Sequence, residues 1–125
     1  MPTYPQRIHL QMDADLRLAA AAGGAARYFA DNAGMENDAI LNLQAAVLTA
    51  CKHCFRCHSS ATSCEIDLRR FEDRLEIDLS FPGKESPEGK EKPILPGVDE
   101  VHCDFLENSA RLRLVKYLEN GSRTS

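Results

Sequence analysis

Residues 45–60, AAVLTACKHCFRCHSS, decide how this chain is read. They hold three of its five cysteines and two of its four histidines. That density fits either a cofactor motif or one side of a helix. At about 100° per residue, Ile40, Leu43, Val47, Cys51, Cys54 and His58 fall on one side, and Leu48 and Phe55 widen the stripe. Asn42, Thr49, His53 and Arg56 fall on the other side. A stripe this wide belongs to a helix packed on a core, where reduced cysteine behaves as a small, readily buried hydrophobe. The spacing predicts a long helix over residues 38–58, capped by Asn37, with Thr49 and His53 one turn apart on its polar face.

Upstream of this helix, residues 7–12 alternate Ile8, Leu10 and Met12 with His9 and Gln11, the pattern of a first strand. Asp13 or Asp15 then caps a helix over residues 16–31, with Leu16, Leu18, Ala22, Tyr28 and Phe29 as its buried face. Gly23 and Gly24, costly in mid-helix, predict close packing against a neighbour. Gly34 is placed to end the helix in the left-handed conformation. Downstream, residues 64–70 and 75–81 alternate apolar and charged positions around a turn at 71–73, an antiparallel hairpin with one buried face. Residues 98–106 and 110–118 form a second hairpin. Between the hairpins, residues 82–97, PGKESPEGKEKPILPG, carry four of the six prolines and read as a loop. The order predicts an α+β fold: a two-layer sandwich with helices on one face of a mainly antiparallel sheet.

The 125 residues form one domain, 1–125, with 43% apolar and 27% charged residues, ordinary for a soluble globular fold. The net charge of −4 opposes a nucleic-acid surface. No stretch has the length of a signal peptide's apolar core or of a membrane span. The expectation is a cytoplasmic protein, off the membrane, whose cysteines are reduced, buried or metal-bound.

This element order resembles the anti-sigma-factor serine kinases of bacterial partner switching, members of the GHKL ATPase superfamily. Its carriers are AAVLTACKHC on the central helix, the hairpin CEIDLRRFEDRLEIDLSFPG and the closing strand RLRLVKYL. The resemblance implies a GHKL-type sandwich with a shortened lid region at 82–97 and one helix fewer. It also implies a degenerate nucleotide site. Where the family carries a catalytic Glu and a magnesium-holding Asn on the central helix, this chain has Thr49 and His53. Where the family's Asp reads adenine, it has Phe81, followed by the retained Gly83. Threonine is no base near neutral pH, and imidazole is a poor ligand for the hard Mg²⁺ ion, which prefers oxygen. Phosphoryl transfer depends on the positioning and charge that these groups supply. The implied function is a non-catalytic module without ATP–Mg that sequesters a sigma factor or a STAS-type anti-anti-sigma partner, with homodimerisation common in the family.

The cysteines offer an alternative, a metal- or redox-sensing regulator. Cys51, Cys54, Cys57, His58, Cys64 and Cys103 are the candidate ligands. Cys57 lies roughly 120° around the helix from Cys51, so Cys64 or Cys103 would have to close a tetrahedral site from the sheet. Cys54–His58 also spells C-x-x-C-H, the haem attachment motif, but its first cysteine and its histidine sit on the apolar stripe. Thr49 and His53 as an acid–base site, and an active serine/threonine kinase, are further readings.

Overall fold

The computed structural model describes residues 6–57, 62–82, 94–106 and 109–118, with the backbone alone at Cys57, Phe105 and Leu106. Strand β1 (Gln6–Asp13) leads through a 3-10 turn (Leu16–Leu18) into α1 (Ala19–Asn32) and α2 (Asn37–Cys57). Strands β2 (Ser63–Arg70), β3 (Arg74–Pro82), β4 (Glu100–Leu106) and β5 (Ser109–Tyr117) follow. The five strands form one sheet in the order β1-β2-β3-β5-β4, and every neighbouring pair is antiparallel. The expected α+β architecture is present, and both hairpins lie in register.

Helix α2 runs 21 residues without Gly or Pro. It buries Ile40, Leu43, Ala46, Val47, Ala50, Cys51, Cys54 and Phe55, while Asn42, Thr49 and Arg56 are exposed. The helix begins at Asn37 itself, and the carbonyl of Glu36 accepts from Ile40 N–H at 2.9 Å, so Asn37 is the first helical residue rather than the cap. Leu48 is half-buried, at the rim of the stripe. His58 lies outside the described residues.

Helix α1 corrects the expectation more strongly. Asp15 is the cap, its carboxylate accepting from Arg17 N–H at 2.9 Å, but the first turn is 3-10 and α1 starts at Ala19. Leu16 and Tyr28, expected in the core, are 52% and 64% exposed. The buried face is Ala19, Ala22, Gly23, Ala26, Phe29 and Ala30. Small side chains let α1 lie close against α2: a Cβ added at Gly23 would sit 3.3 Å from the Gln44 carbonyl oxygen. Gly24 does not share this role, since no atom of the described residues lies within 4 Å of its Cβ position. At the C-terminus, Gly34 has φ 81°, its N–H reaches Asp31 O at 3.1 Å, and Met35 N–H reaches Ala30 O at 3.3 Å. These two bonds form the paired closure of a Schellman motif.

Side chains alternate between the two faces of the strands, but β3 is buried on both, Glu76 and Asp78 included, rather than on the one face expected. Leu75, Ile77, Leu79 and Phe81 of β3 face Cys64, Ile66 and Leu68 of β2 and Leu112 and Leu114 of β5 in a single core with the helices' apolar faces. The register sets Ile66 opposite Leu79, Leu68 opposite Ile77, and Ile77 opposite Leu114. Before β4, Leu95 is buried, and Gly97 presses on α2 so closely that a Cβ there would stand 2.2 Å from the Asn42 carbonyl oxygen. Of the loop at 82–97, residues 83–93 lie outside the described set. The last strands begin at Glu100 and Ser109, so Val98 and Asp99 precede β4 rather than belonging to it.

Candidate functional site

The positions singled out by resemblance are distributed over two sides of α2. Thr49 is exposed and His53 half-buried. Phe81, at the end of β3, is 1% exposed and meets Phe55 of α2's inner face edge-on, with ring centroids 5.6 Å apart at 79°. Edge-to-face packing sets the positive rim of one ring on the negative face of the other. The alternation of β3 brings Phe81 there, and the i, i+4 spacing of Cys51 and Phe55 keeps the receiving face apolar. Thr49 and Phe81 are therefore not brought together. Gly83 lies outside the described residues.

The cysteines divide similarly. Cys51, Cys54 and Cys64 are buried, and Cys103 is exposed. Burial pushes the Cys51 thiol up to about 12, with the nearby Cys64 adding to it. Burial likewise pushes Cys64 up to about 11, with Glu65 contributing. Thiols held this way are protonated at neutral pH, whereas metal ligands and nucleophiles act as thiolates. Cys64 is on β2 and Cys103 on β4, with β3 and β5 between them. Three strand spacings come to about 14 Å, too far for one ion to bind both. Among the described residues no three His, Cys, Asp or Glu side chains gather as a metal-ligand set. The side chain of Cys57 and all of His58 lie outside the described residues.

The face of the sheet opposite the helices carries a feature the sequence reading passed over. Asp67 of β2 and Asp78 of β3 stand directly opposite one another, an arrangement that is repulsive by itself. Arginines resolve it. Arg7 grips Asp67 with two bonds, 2.7 and 2.9 Å. Arg113 grips Asp78 with two, 2.8 and 3.0 Å. Arg69 bridges Asp78 and Glu76, each at 3.1 Å, and Arg74 holds Glu76 at 2.8 Å. Under these guanidinium groups Glu76 and Asp78 are only 8% and 6% exposed. The Arg7 guanidinium holds the Asp67 carboxyl below the usual carboxylate range.

The ionic lattice continues across β5 to β4. Val115 is flanked by Glu76 on β3 and Glu100 on β4. It helps line a polar cleft of about 300 Å³ walled by Arg74, Glu100, His102, Arg113 and Tyr117. Glu100 accepts a hydrogen bond from the Tyr117 hydroxyl, and its other oxygen lies 2.9 Å from His102 Nε2. These contacts, the tyrosine's first, hold the Glu100 carboxyl below its usual range. The alternating charges of β2, β3 and β5 were visible signals for this lattice. Their pairing depends on a β3–β5 register that joins residues 35 apart, as in Arg113 and Asp78.

A second cleft of about 300 Å³ opens between α1 and the start of α2, lined by residues including Arg27, Tyr28, Asp31 and Asn37. No helix among the described residues is long and apolar enough to cross a membrane. Compared with known proteins, the chain matches no family profile and has no significant match among curated proteins.

Proposed function

We propose that this domain is a non-catalytic protein-binding module, related in fold to the anti-sigma kinases, that holds a sigma factor or a STAS-type partner without ATP chemistry. The observation that carries the reading is the burial of Phe81 against Phe55. On the proposed correspondence, that strand end is where a carboxylate would meet adenine, and an aromatic pair fills it instead. Thr49 adds a neutral hydroxyl where the reaction would need a carboxylate. Losing a matched hydrogen bond to a bound ligand costs on the order of 1–3 kcal/mol, and the adenine, metal and base contacts are lost together.

Titration calorimetry with ATP–Mg²⁺ is expected to give no saturable binding up to about 1 mM. Immobilised protein is expected to retain a sigma factor or STAS protein with or without nucleotide. Micromolar ATP affinity, or phosphate transfer to a STAS protein, overturns the non-catalytic reading. Failure to retain either class of partner overturns the partner assignment.

A further inference from the structure

We propose that Glu100 and His102 of β4 form a chelating site for a divalent transition-metal ion of the copper–nickel class, bound through one carboxylate oxygen and the imidazole Nε2. The two residues stand two apart on a strand, so their side chains leave the same face of the sheet, the one away from the helices. Glu100 Oε1 lies 2.9 Å from His102 Nε2. Bonds of about 2.0–2.1 Å to nitrogen and oxygen, meeting at the right angle of a square or octahedral ion, place two donor atoms about 2.9 Å apart. A tetrahedral angle opens that separation to about 3.3 Å. The pair is therefore set at the bite of an ion with right-angled geometry. Copper(II) and nickel(II) take such nitrogen–oxygen sites, and they stand at the tight-binding end of the divalent series. The ion replaces the proton that the pair now shares, and in the neutral imidazole that proton moves to Nδ1.

The surroundings suit a cation. Tyr117 donates its hydroxyl to Glu100 Oε2, which orients the carboxylate and leaves Oε1 toward the imidazole. Outer hydrogen bonds of this kind fix the direction of a metal ligand. The adjoining cleft sets Glu76, Glu100 and Asp104 against Arg74 and Arg113, three carboxylates to two guanidinium groups, so one negative charge is in excess. Both guanidinium groups are already engaged, Arg113 by Asp78 and Arg74 by Glu76 and Asp73. The cleft, of about 300 Å³, has room for the waters that complete the coordination.

A second histidine on the same face marks the contrast. His9 of β1 has Nε2 3.7 Å from Glu65 and Nδ1 3.9 Å from Asp67. Neither separation fits the bite of one ion, and both oxygens of Asp67 are held by Arg7. Two protein donors completed by water give the Glu100–His102 site a modest affinity, with a dissociation constant of roughly 10–100 μM.

The test titrates the full chain with Ni²⁺ by calorimetry, in the presence of a non-thiol reductant. One saturable site is expected. His102→Ala is expected to weaken it at least ~10-fold, and Glu100→Gln several-fold. Tyr117→Phe, which removes only the orienting hydroxyl, is expected to weaken it by less than His102→Ala does. His9→Ala is expected to leave the affinity unchanged. So is Cys103→Ser, because Cys103 stands opposite Leu112 on the core side of the strand. Melting curves confirm that each variant is folded. The paramagnetic ion is expected to broaden amide resonances of β4 and the end of β5 in the parent chain, and not in His102→Ala. No saturable binding below about 1 mM, an affinity indifferent to His102→Ala, or broadening centred on another histidine or on the cysteines overturns the proposal.

Discussion

Arg113 reaches across from β5 to clamp Asp78 with Nε at 2.8 Å and a terminal nitrogen at 3.0 Å, joining residues 35 positions apart on the outer face of the sheet. Because Arg69 meets the same carboxylate at 3.1 Å, Asp78 is the point where three strands are tied together.

Removing that carboxylate leaves two guanidinium groups without their principal anion on a crowded surface. Asp78→Ala is expected to lose about 2–4 kcal/mol of stability, and Asp78→Asn less, because the amide oxygen still accepts one bond. Urea melts of both variants check the order. A neutral result for Asp78→Ala would mean the pairs contribute nothing net.

Two glycines give opposite predictions. At Gly97 a methyl group would stand 2.2 Å from the Asn42 carbonyl oxygen. Gly97→Ala must push the segment off α2, at a cost of about 1–3 kcal/mol. At Gly24 there is open space on an exposed helix position, so Gly24→Ala is expected to raise stability by about 0.5–1 kcal/mol. Thermal melts of the two variants should move in opposite directions.

Phe81 and Thr49 form a second contrast. Phe81→Asp removes a buried ring and puts an acid against Phe55, with an expected loss of ~3 kcal/mol or more and no gain of ATP affinity. Thr49→Glu changes an exposed position of α2 and is expected to cost under ~0.5 kcal/mol. Equal stability of Phe81→Asp and the parent would show that the ring is not packed.

The buried thiols predict both reactivity and pH dependence. Cys103 is expected to react rapidly with a thiol reagent at pH 8, and Cys51, Cys54 and Cys64 only after denaturation, with peptide mapping as the readout. Because folding raises Cys51 from 9.0 to about 12 and Cys64 from 9.0 to about 11, the unfolded chain ionises first. The associated stability is complete below pH 9 and is lost as the pH rises from 9 toward 12. Denaturant midpoints that stay level over that range would contradict the buried placement.

The legible parts of this fold were those where one periodicity outweighed every other. Strand β3 admits one reading because Leu75, Ile77, Leu79 and Phe81 alternate with Arg74, Glu76, Asp78 and Ser80. Helix α2 admits one because its large apolar residues share a stripe. Helix α1 does not, because alanine recurs on every side of it. Of the face its pattern suggested, Ala22 and Phe29 are buried but Leu16 and Tyr28 lie open, and the unforeseen Ala19, Gly23, Ala26 and Ala30 complete the contact. Among the candidate site residues, Phe81's burial was legible from its strand. The ionic lattice was not, because each of its charges could also have been a solvated one until the register between β3 and β5 was known.

The contact of Gly97 with Asn42 governs the order in which the chain can assemble. Strands β3 and β4 point the same way, since each is antiparallel to β5. Phe81 ends β3 beside Phe55, and Gly97, ahead of β4, lies beside Asn42, 13 residues back along α2 and so about 20 Å away. The closing hairpin docks on β3 through β5 and on α2 through Gly97, so it is fully seated only after both exist, and its pairing with β3 closes a long loop, a slow step entropically. The β2–β3 hairpin and the helix pair can form from neighbouring residues beforehand. The molecule should fasten from its middle outward, with β4 the last strand to acquire protection from hydrogen exchange and the first to lose it.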